Sequence, residues 1–357
     1  LMVDVPTYRV DLEREIDLIE EVARLHGYQQ IPVDLPAQSP STVKVDPHAQ
    51  WEGRIRDILA DIGFSEVITY SFMSEKLLDW LGFPGTDSQR RLLRVRNSLS
   101  EDFEVMRPLL VPSILQSVAL NLHRNVFDLK LFELGRVFLP TEVEGLPEER
   151  RHLAGALCGG RDNGVWSAGK PAVDLFDLKG SLELLFDRLR VPPREFLRGG
   201  SPFLQPAASF RVGVNGASLG EAGLVRPHVA ELFGIAKPVF VFELDLEELF
   251  HSRHSISTFR SIPRFPASCR DLAVVVDRNL AAEEVRRAIE LSGVRHLESV
   301  SLFDLYEGEP IPPGKKSLAF TLTYRSPDRT LTDDEVNSIH STIPELLAGK
   351  YGAILRE

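Results

Sequence analysis

The last hundred residues constrain the fold most, because their apolar pattern switches between period two and period 3.6 in a fixed order. Cys269–Asp277 reads as a strand around the continuous apolar run Leu272–Val276. Ala281–Ser292 reads as a helix closed by Gly293. Leu297–Glu307 and Lys315–Arg325 alternate, as half-buried strands do. Thr332–Leu347 reads as one helix, with Thr332 as N-cap and Glu335 completing a capping box. Ala353–Arg356 then closes the order β-α-β-β-α-β. That is the split-βαβ, ferredoxin-like arrangement, which RNA-recognition modules also use.

Upstream the pattern is mixed. Leu12–His26 is an amphipathic helix with Gly27 where a C-terminal cap is wanted. Ile31–Pro47 is polar and carries four prolines, so it reads as a linker. Helices are expected at Gln50–Ile62, Pro112–Leu122 and Asp177–Leu189. Strands are expected at Glu66–Phe72, Leu129–Phe138, His152–Cys158, Ser209–Val214 and Val239–Asp245. Strands outnumber crossover helices and short turns join many neighbours, which predicts a largely antiparallel sheet. The fold class is α+β: such a sheet with flanking helices, then the ferredoxin-like module. A length of 357 residues suits two compact domains and a partial one.

Composition excludes several classes. A 43% hydrophobic, 26% charged chain is neither disordered nor collagenous. No apolar run reaches the roughly 18–20 residues of a membrane span. The opening Leu1-Met2-Val3-Asp4 lacks the features of a signal peptide, and a chain starting at Leu reads as part of something longer. The net charge of −11 argues against a surface that is basic throughout. Cys158 and Cys269 stand alone, which fits a reducing, cytoplasmic compartment. The nine histidines form no metal motif; His251 and His254 are the closest pair, with Arg253 between them.

Two groups of residues carry candidate chemistry. Asp17, Glu20 and Glu21 fall at i, i+3 and i+4, on one helix face, and Asp11 lies just before the first turn. Either this is a solvated acidic face, or a hard cation offsets the repulsion. In the C-terminal module, Lys315, Lys316, Tyr324, Arg325 and Arg329, with Arg264, Phe265 and Arg270 ahead of the first strand, mix cations for phosphate with rings for bases. Residues 260–357 carry 13 basic and 15 acidic groups, so an ordinary charged surface is the alternative.

Several segments together resemble one family. They are Tyr8-Arg9-Val10-Asp11-Leu12, Asp17–Arg24 with Gly27-Tyr28 and Ile31-Pro32, Asn97-Ser98-Leu99-Ser100 with Met106-Arg107, and Phe132–Phe138. Asp174–Gly180, Arg264-Phe265-Pro266, Arg270–Ala273 and Leu322–Val336 continue the likeness. The chain resembles the C-terminal part of the β subunit of bacterial phenylalanyl-tRNA synthetase. One departure is Phe203–Ser209, where the family usually has His-Pro-Gly.

The resemblance implies four segments: 1–35 as the end of a B5, winged-helix-like domain, 36–46 as linker, 47–255 as a class II synthetase-like domain, and 262–357 as a ferredoxin-fold anticodon-binding domain. It implies that the family's N-terminal tRNA module, editing domain and first half of B5 are absent. It also implies Mg²⁺ at Asp11, Asp17, Glu20 and Glu21, shared with an α subunit that binds ATP and phenylalanine. The partners would be that α subunit in an (αβ)₂ heterotetramer and tRNA(Phe), with no membrane.

Class II cores hold ATP through a Gly-x-Gly-x-Glu-Arg strand-helix motif. Here the equivalent segment is Phe242–Leu249, where Glu243 and Asp245 stand for the glycines and Glu248 for the arginine. Carboxylates repel a triphosphate. The chain itself is therefore expected to have no catalytic residues and to serve as a subunit of phenylalanine–tRNA ligase. A stand-alone RNA-binding protein is the alternative, and a DNA-binding regulator, suggested by B5, is the third reading.

Overall fold

A computed structural model describes residues 2–34, 46–98, 100–141, 146–161, 171–192, 194–214, 216–253, 259 and 261–356. The chain divides into two compact units, residues 1–255 and 256–357. Most of the expected linker, and His254, lie outside the described residues.

The first unit begins with α1 (Glu15–His26). Its start is three residues later than the periodicity predicts, because Asp17 turns back to accept the N–H groups of Glu13 and Arg14 (2.9 and 2.7 Å). Helix α2 (Pro47–Asp61) starts earlier than expected: Asp46 caps it and Pro47 occupies the first turn. The expected strand Glu66–Phe72 is not one strand. Only β1 (Ser65–Glu66) and β2 (Phe72–Met73) are strands, and they join different sheets. Between them Thr69 gives its N–H and hydroxyl to the Glu133 carboxylate, so its hydrogen bonds leave the ladder.

Next come α3 (Lys76–Trp80), β3 (Val105–Met106), which pairs with β2, and α4 (Val111–His123). The long hairpin β4 (Leu129–Leu139) and β5 (Glu148–Cys158) is followed by α5 (Leu175–Leu189). Then β6 (Arg194–Arg198), β7 (Leu204–Val214), β8 (Ala217–Val225), α6 (Pro227–Leu232), β9 (Val239–Asp245) and α7 (Leu246–Ser252) complete the unit. The seven-stranded sheet runs β1-β4-β5-β9-β8-β7-β6. Only the short β1–β4 pair is parallel.

Alternation along β5 and β9 feeds two cores. Ala154, Ala156, Val239 and Val241 pack with α3 and α4, whereas Leu153, Leu157, Phe240 and Phe242 pack with α2, α5 and α7. The first face is not wholly apolar. Cross-strand register aligns Glu133, Ala154, Glu243, Glu221 and Arg211 on it.

The second unit contains β10 (Ser268–Asp277), α8 (Ala282–Glu290), β11 (Leu297–Tyr306), β12 (Lys315–Tyr324), α9 (Asp333–His340), α10 (Thr342–Tyr351) and β13 (Ile354–Leu355). Its sheet order, β11-β12-β10-β13, is all antiparallel and matches the expected ferredoxin-like topology. Helices cover one face through Leu318, Phe320, Leu322, Val285, Ile289 and Val336. The expected single helix Thr332–Leu347 is two, α9 and α10. Pro344 has no N–H to donate to the His340 carbonyl, so the ladder breaks around Ser341. Strand β11 forms, yet two register shifts leave only Val300 buried along it.

Candidate functional site

The acidic helix comes first. Arg9 donates to Asp11 at 2.7 Å and to Glu21 at 2.8 Å, and Arg24 reaches the other Glu21 oxygen at 2.6 Å. These guanidiniums hold both carboxyls low, at about 2. Asp17, also lowered by backbone N–H donors, is engaged in the α1 cap, and Glu20 is exposed. Arg9 thus occupies the place between Asp11 and Glu21 that a cation would take. In this arrangement the four carboxylates do not fit a divalent ion. Among the described residues no group of three or more His, Cys, Asp or Glu is placed to hold a metal.

In the seven-stranded sheet, Glu243 is buried at the N-terminus of α4. It accepts the N–H groups of Leu110 and Val111 at 3.0 Å, and His152 Nδ1 lies 2.7 Å from its carboxylate. The positive end of that helix is therefore already matched by an internal anion. Asp245 caps α7 through Glu247 N–H and Glu248 N–H, and Arg150 approaches it at 3.6 Å. Both acidic residues line a cavity of about 310 Å³ with His152, Arg211 and Glu221. Glu248 is exposed on the first turn of α7.

Sequence reasoning missed the buried pair Arg107–Glu133. Its charged atoms meet at 2.9 Å, and Arg107 also donates to the Arg136 carbonyl and the Thr69 hydroxyl. A Cβ on Gly135 would sit 2.5 Å from Arg107 Nη2, so glycine there lets the guanidinium pass. The available signal was two ionisable residues set within apolar runs, Met106-Arg107-Pro108-Leu109 and Leu131-Phe132-Glu133-Leu134.

The eight residues expected to touch RNA are not one patch. Tyr324 corrects the expectation most clearly: its ring is fully buried and its hydroxyl lies 2.9 Å from His340 Nδ1, so it is not available to stack on a base. Lys316 is also buried, because it shares the helix-covered side of β12 with Leu318, Phe320 and Leu322. Arg325 pairs with Glu298 at 2.8 Å and donates to the Phe265 carbonyl. Arg270 bonds Asn337 and Asp333, and Arg329 is held by Glu335 of the α9 capping box. Arg264 is exposed, while Phe265 and Lys315 are half-buried.

The Tyr324–His340 contact has a measurable consequence. Burial pushes the tyrosine up to about 12 and the imidazole below its ordinary 6.5. The folded unit binds the tyrosine proton more tightly than the unfolded chain, so stability is lost as pH rises from about 10 to about 12. It binds the imidazole proton less tightly, so stability is also lost as pH falls below about 6.5. Thermal melts across pH should show both flanks for the second unit, and His340→Gln should remove the loss that begins just below pH 6.5, leaving the one at lower pH that Glu335 contributes.

A largely antiparallel, helix-flanked sheet with buried carboxylates on one face, joined in sequence to a ferredoxin-like module, defines an α+β chain of two units. Three family models match in order: "tRNA synthetase B5 domain" at residues 1–28, "Phenylalanyl tRNA synthetase beta chain CLM domain" at 31–246, and "Ferredoxin-fold anticodon binding domain" at 263–356. Phenylalanine–tRNA ligase beta subunits from Geobacter sulfurreducens and Moorella thermoacetica are 40% and 41% identical over 99% of this chain. The Bacillus subtilis subunit is 37% identical over 100% of it. In each case the chain spans 44% of the relative's length. The chain belongs to the phenylalanyl-tRNA synthetase β-chain family.

Proposed function

We propose that this chain is the non-catalytic C-terminal part of a phenylalanine–tRNA ligase β subunit, in the cytoplasm. It assembles with a catalytic α subunit, which binds ATP, into an (αβ)₂ heterotetramer and contacts tRNA(Phe). The observation that carries the reading is Glu243, a buried carboxylate set on the α4 N-terminus in the segment where a nucleotide-binding core needs glycine. The division at 1–35, 47–255 and 262–357 belongs to the same reading. Among the described residues no helix is long and apolar enough to cross a membrane.

Mg²⁺ at Asp11, Asp17, Glu20 and Glu21 belongs to the reading only for the assembled protein, where Arg9 must release Asp11 and Glu21. For RNA, the residues best disposed are Arg264, Lys315 and Arg329, the last in exchange with Glu335. Neutralising Arg264 and Arg329 together should flatten the salt dependence of tRNA(Phe) binding by about one unit of slope per lost phosphate contact. An unchanged slope would move the RNA surface elsewhere. Co-expression with a phenylalanyl-tRNA synthetase α chain, followed by native mass measurement, tests the assembly. Equal numbers of the two chains in one particle are expected, and a chain that stays alone while binding RNA would favour the stand-alone reading.

A further inference from the structure

The cavity beside β8 and β9 has a lining of two kinds. Its volume, about 310 Å³, lies at the lower end of the range for small-molecule sites, roughly 300–1,000 Å³. One side is apolar, with Phe83, Leu109, Phe203 and Leu219. The polar side follows the sheet register: Arg211, Glu221 and Glu243 are direct cross-strand neighbours on β7, β8 and β9. Gly220 precedes Glu221, and a Cβ there would lie 2.1 Å from the Glu243 carbonyl oxygen, so only glycine allows the two strands this approach.

The two adjacent carboxylates are supplied unequally. Glu243 is matched by Leu110 N–H, Val111 N–H and His152. Glu221 is supplied by Ser201, through its N–H at 2.8 Å and its hydroxyl, yet burial, with Glu243 adjacent, still pushes its carboxyl up. Gln89 lines the same cavity, and its buried Oε1 has no hydrogen-bond partner. Two under-supplied acceptors call for a group rich in donors and positively charged. A primary ammonium has three N–H donors and no acceptor. Arg211 is exposed and is not ion-paired with Glu221, which leaves its guanidinium available to an anionic group. A nucleotide does not suit a wall holding Glu221, Glu243 and Asp245, and no carboxylate group here is placed for a metal.

We infer that this cavity binds a small zwitterion of the α-amino-acid class, its ammonium held by Glu221 and Gln89, its carboxylate by Arg211, and its apolar side chain lying against Phe83 and Phe203. The site belongs to this chain alone and does not depend on assembly with an α subunit.

Calorimetric titration of the whole 357-residue chain tests it, with L-leucine and L-phenylalanine as probes beside their N-acetyl derivatives and leucinol. At least one amino acid should bind saturably below about 10 mM, and N-acetylation, which removes the ammonium, should weaken binding by about tenfold or more. Glu221→Gln should cause a comparable loss, and Arg211→Gln should weaken the amino acid without weakening leucinol. If Glu221→Gln does not fold, Gln89→Leu carries the same test. The inference is overturned if neither amino acid saturates the chain. It is equally overturned if binding survives both N-acetylation and whichever of these two acceptor substitutions folds. Neither result bears on copurification with an α chain.

Discussion

Replacing Arg107 by Met is expected to lower the stability of the first unit by about 3–5 kcal/mol, because it leaves the Glu133 carboxylate buried without its counter-ion. Both side chains are nearly inaccessible, at 4% and 3% exposure, so water cannot take over the lost contacts. The substitution also removes donors to the Arg136 carbonyl and Thr69 hydroxyl, which tie β4 to the segment between β1 and β2. Urea unfolding should show the loss as a lower midpoint with little change in slope. Arg107→Met combined with Glu133→Leu should be less damaging than Arg107→Met alone, since removing both charges removes the desolvation cost. A single variant as stable as the parent would show that the pair is not maintained in solution.

Glu243→Ala is the second large effect. Two N–H groups at the start of α4 and the His152 ring lose their acceptor in a site where Leu110 and Val111 are fully buried. At about 1–3 kcal/mol per buried group left unsatisfied, a total loss of about 3 kcal/mol is expected. Glu243→Gln should recover part of it, because the carboxamide keeps one acceptor oxygen but not the charge that matches the helix end. Thermal unfolding of the three proteins should rank them parent, Gln, Ala. If Ala equalled the parent, the carboxylate would have no part in holding α4, and the explanation given for its presence would fail.

Periodicity made much of the fold legible. Strand β9 is found at Val239–Asp245, as its apolar run predicts, and the β-α-β-β-α-β order of the second unit is visible in its alternation. What periodicity misplaced were local competitions. Asp17 drew its own backbone into a cap, Thr69 turned to Glu133, and Pro344 divided a helix that otherwise reads as continuous.

The sites were less legible, because partners distant in sequence decide what a charged residue does. Glu243 reads in the sequence as unsuited to a triphosphate, whereas its acceptor role depends on Leu110 and Val111, more than 130 positions away. Arg9 stands beside Asp11 in sequence, yet its second contact, to Glu21, comes from the helix. For Tyr324 and Lys316 the signal was present: both share parity with Leu318, Phe320 and Leu322 on a strand with period two. Reading Tyr324-Arg325 as one surface strip overlooked that successive side chains leave opposite faces.

The most direct test of the central claim is pyrophosphate exchange into ATP by the purified chain in the presence of phenylalanine and Mg²⁺. The account predicts no exchange above the buffer blank, because Glu243 and Asp245 are held by α4, His152 and α7 where phosphate contacts would be needed. Measurable exchange that disappears on Glu243→Ala or Asp245→Ala would contradict it and place an active nucleotide site in this sheet.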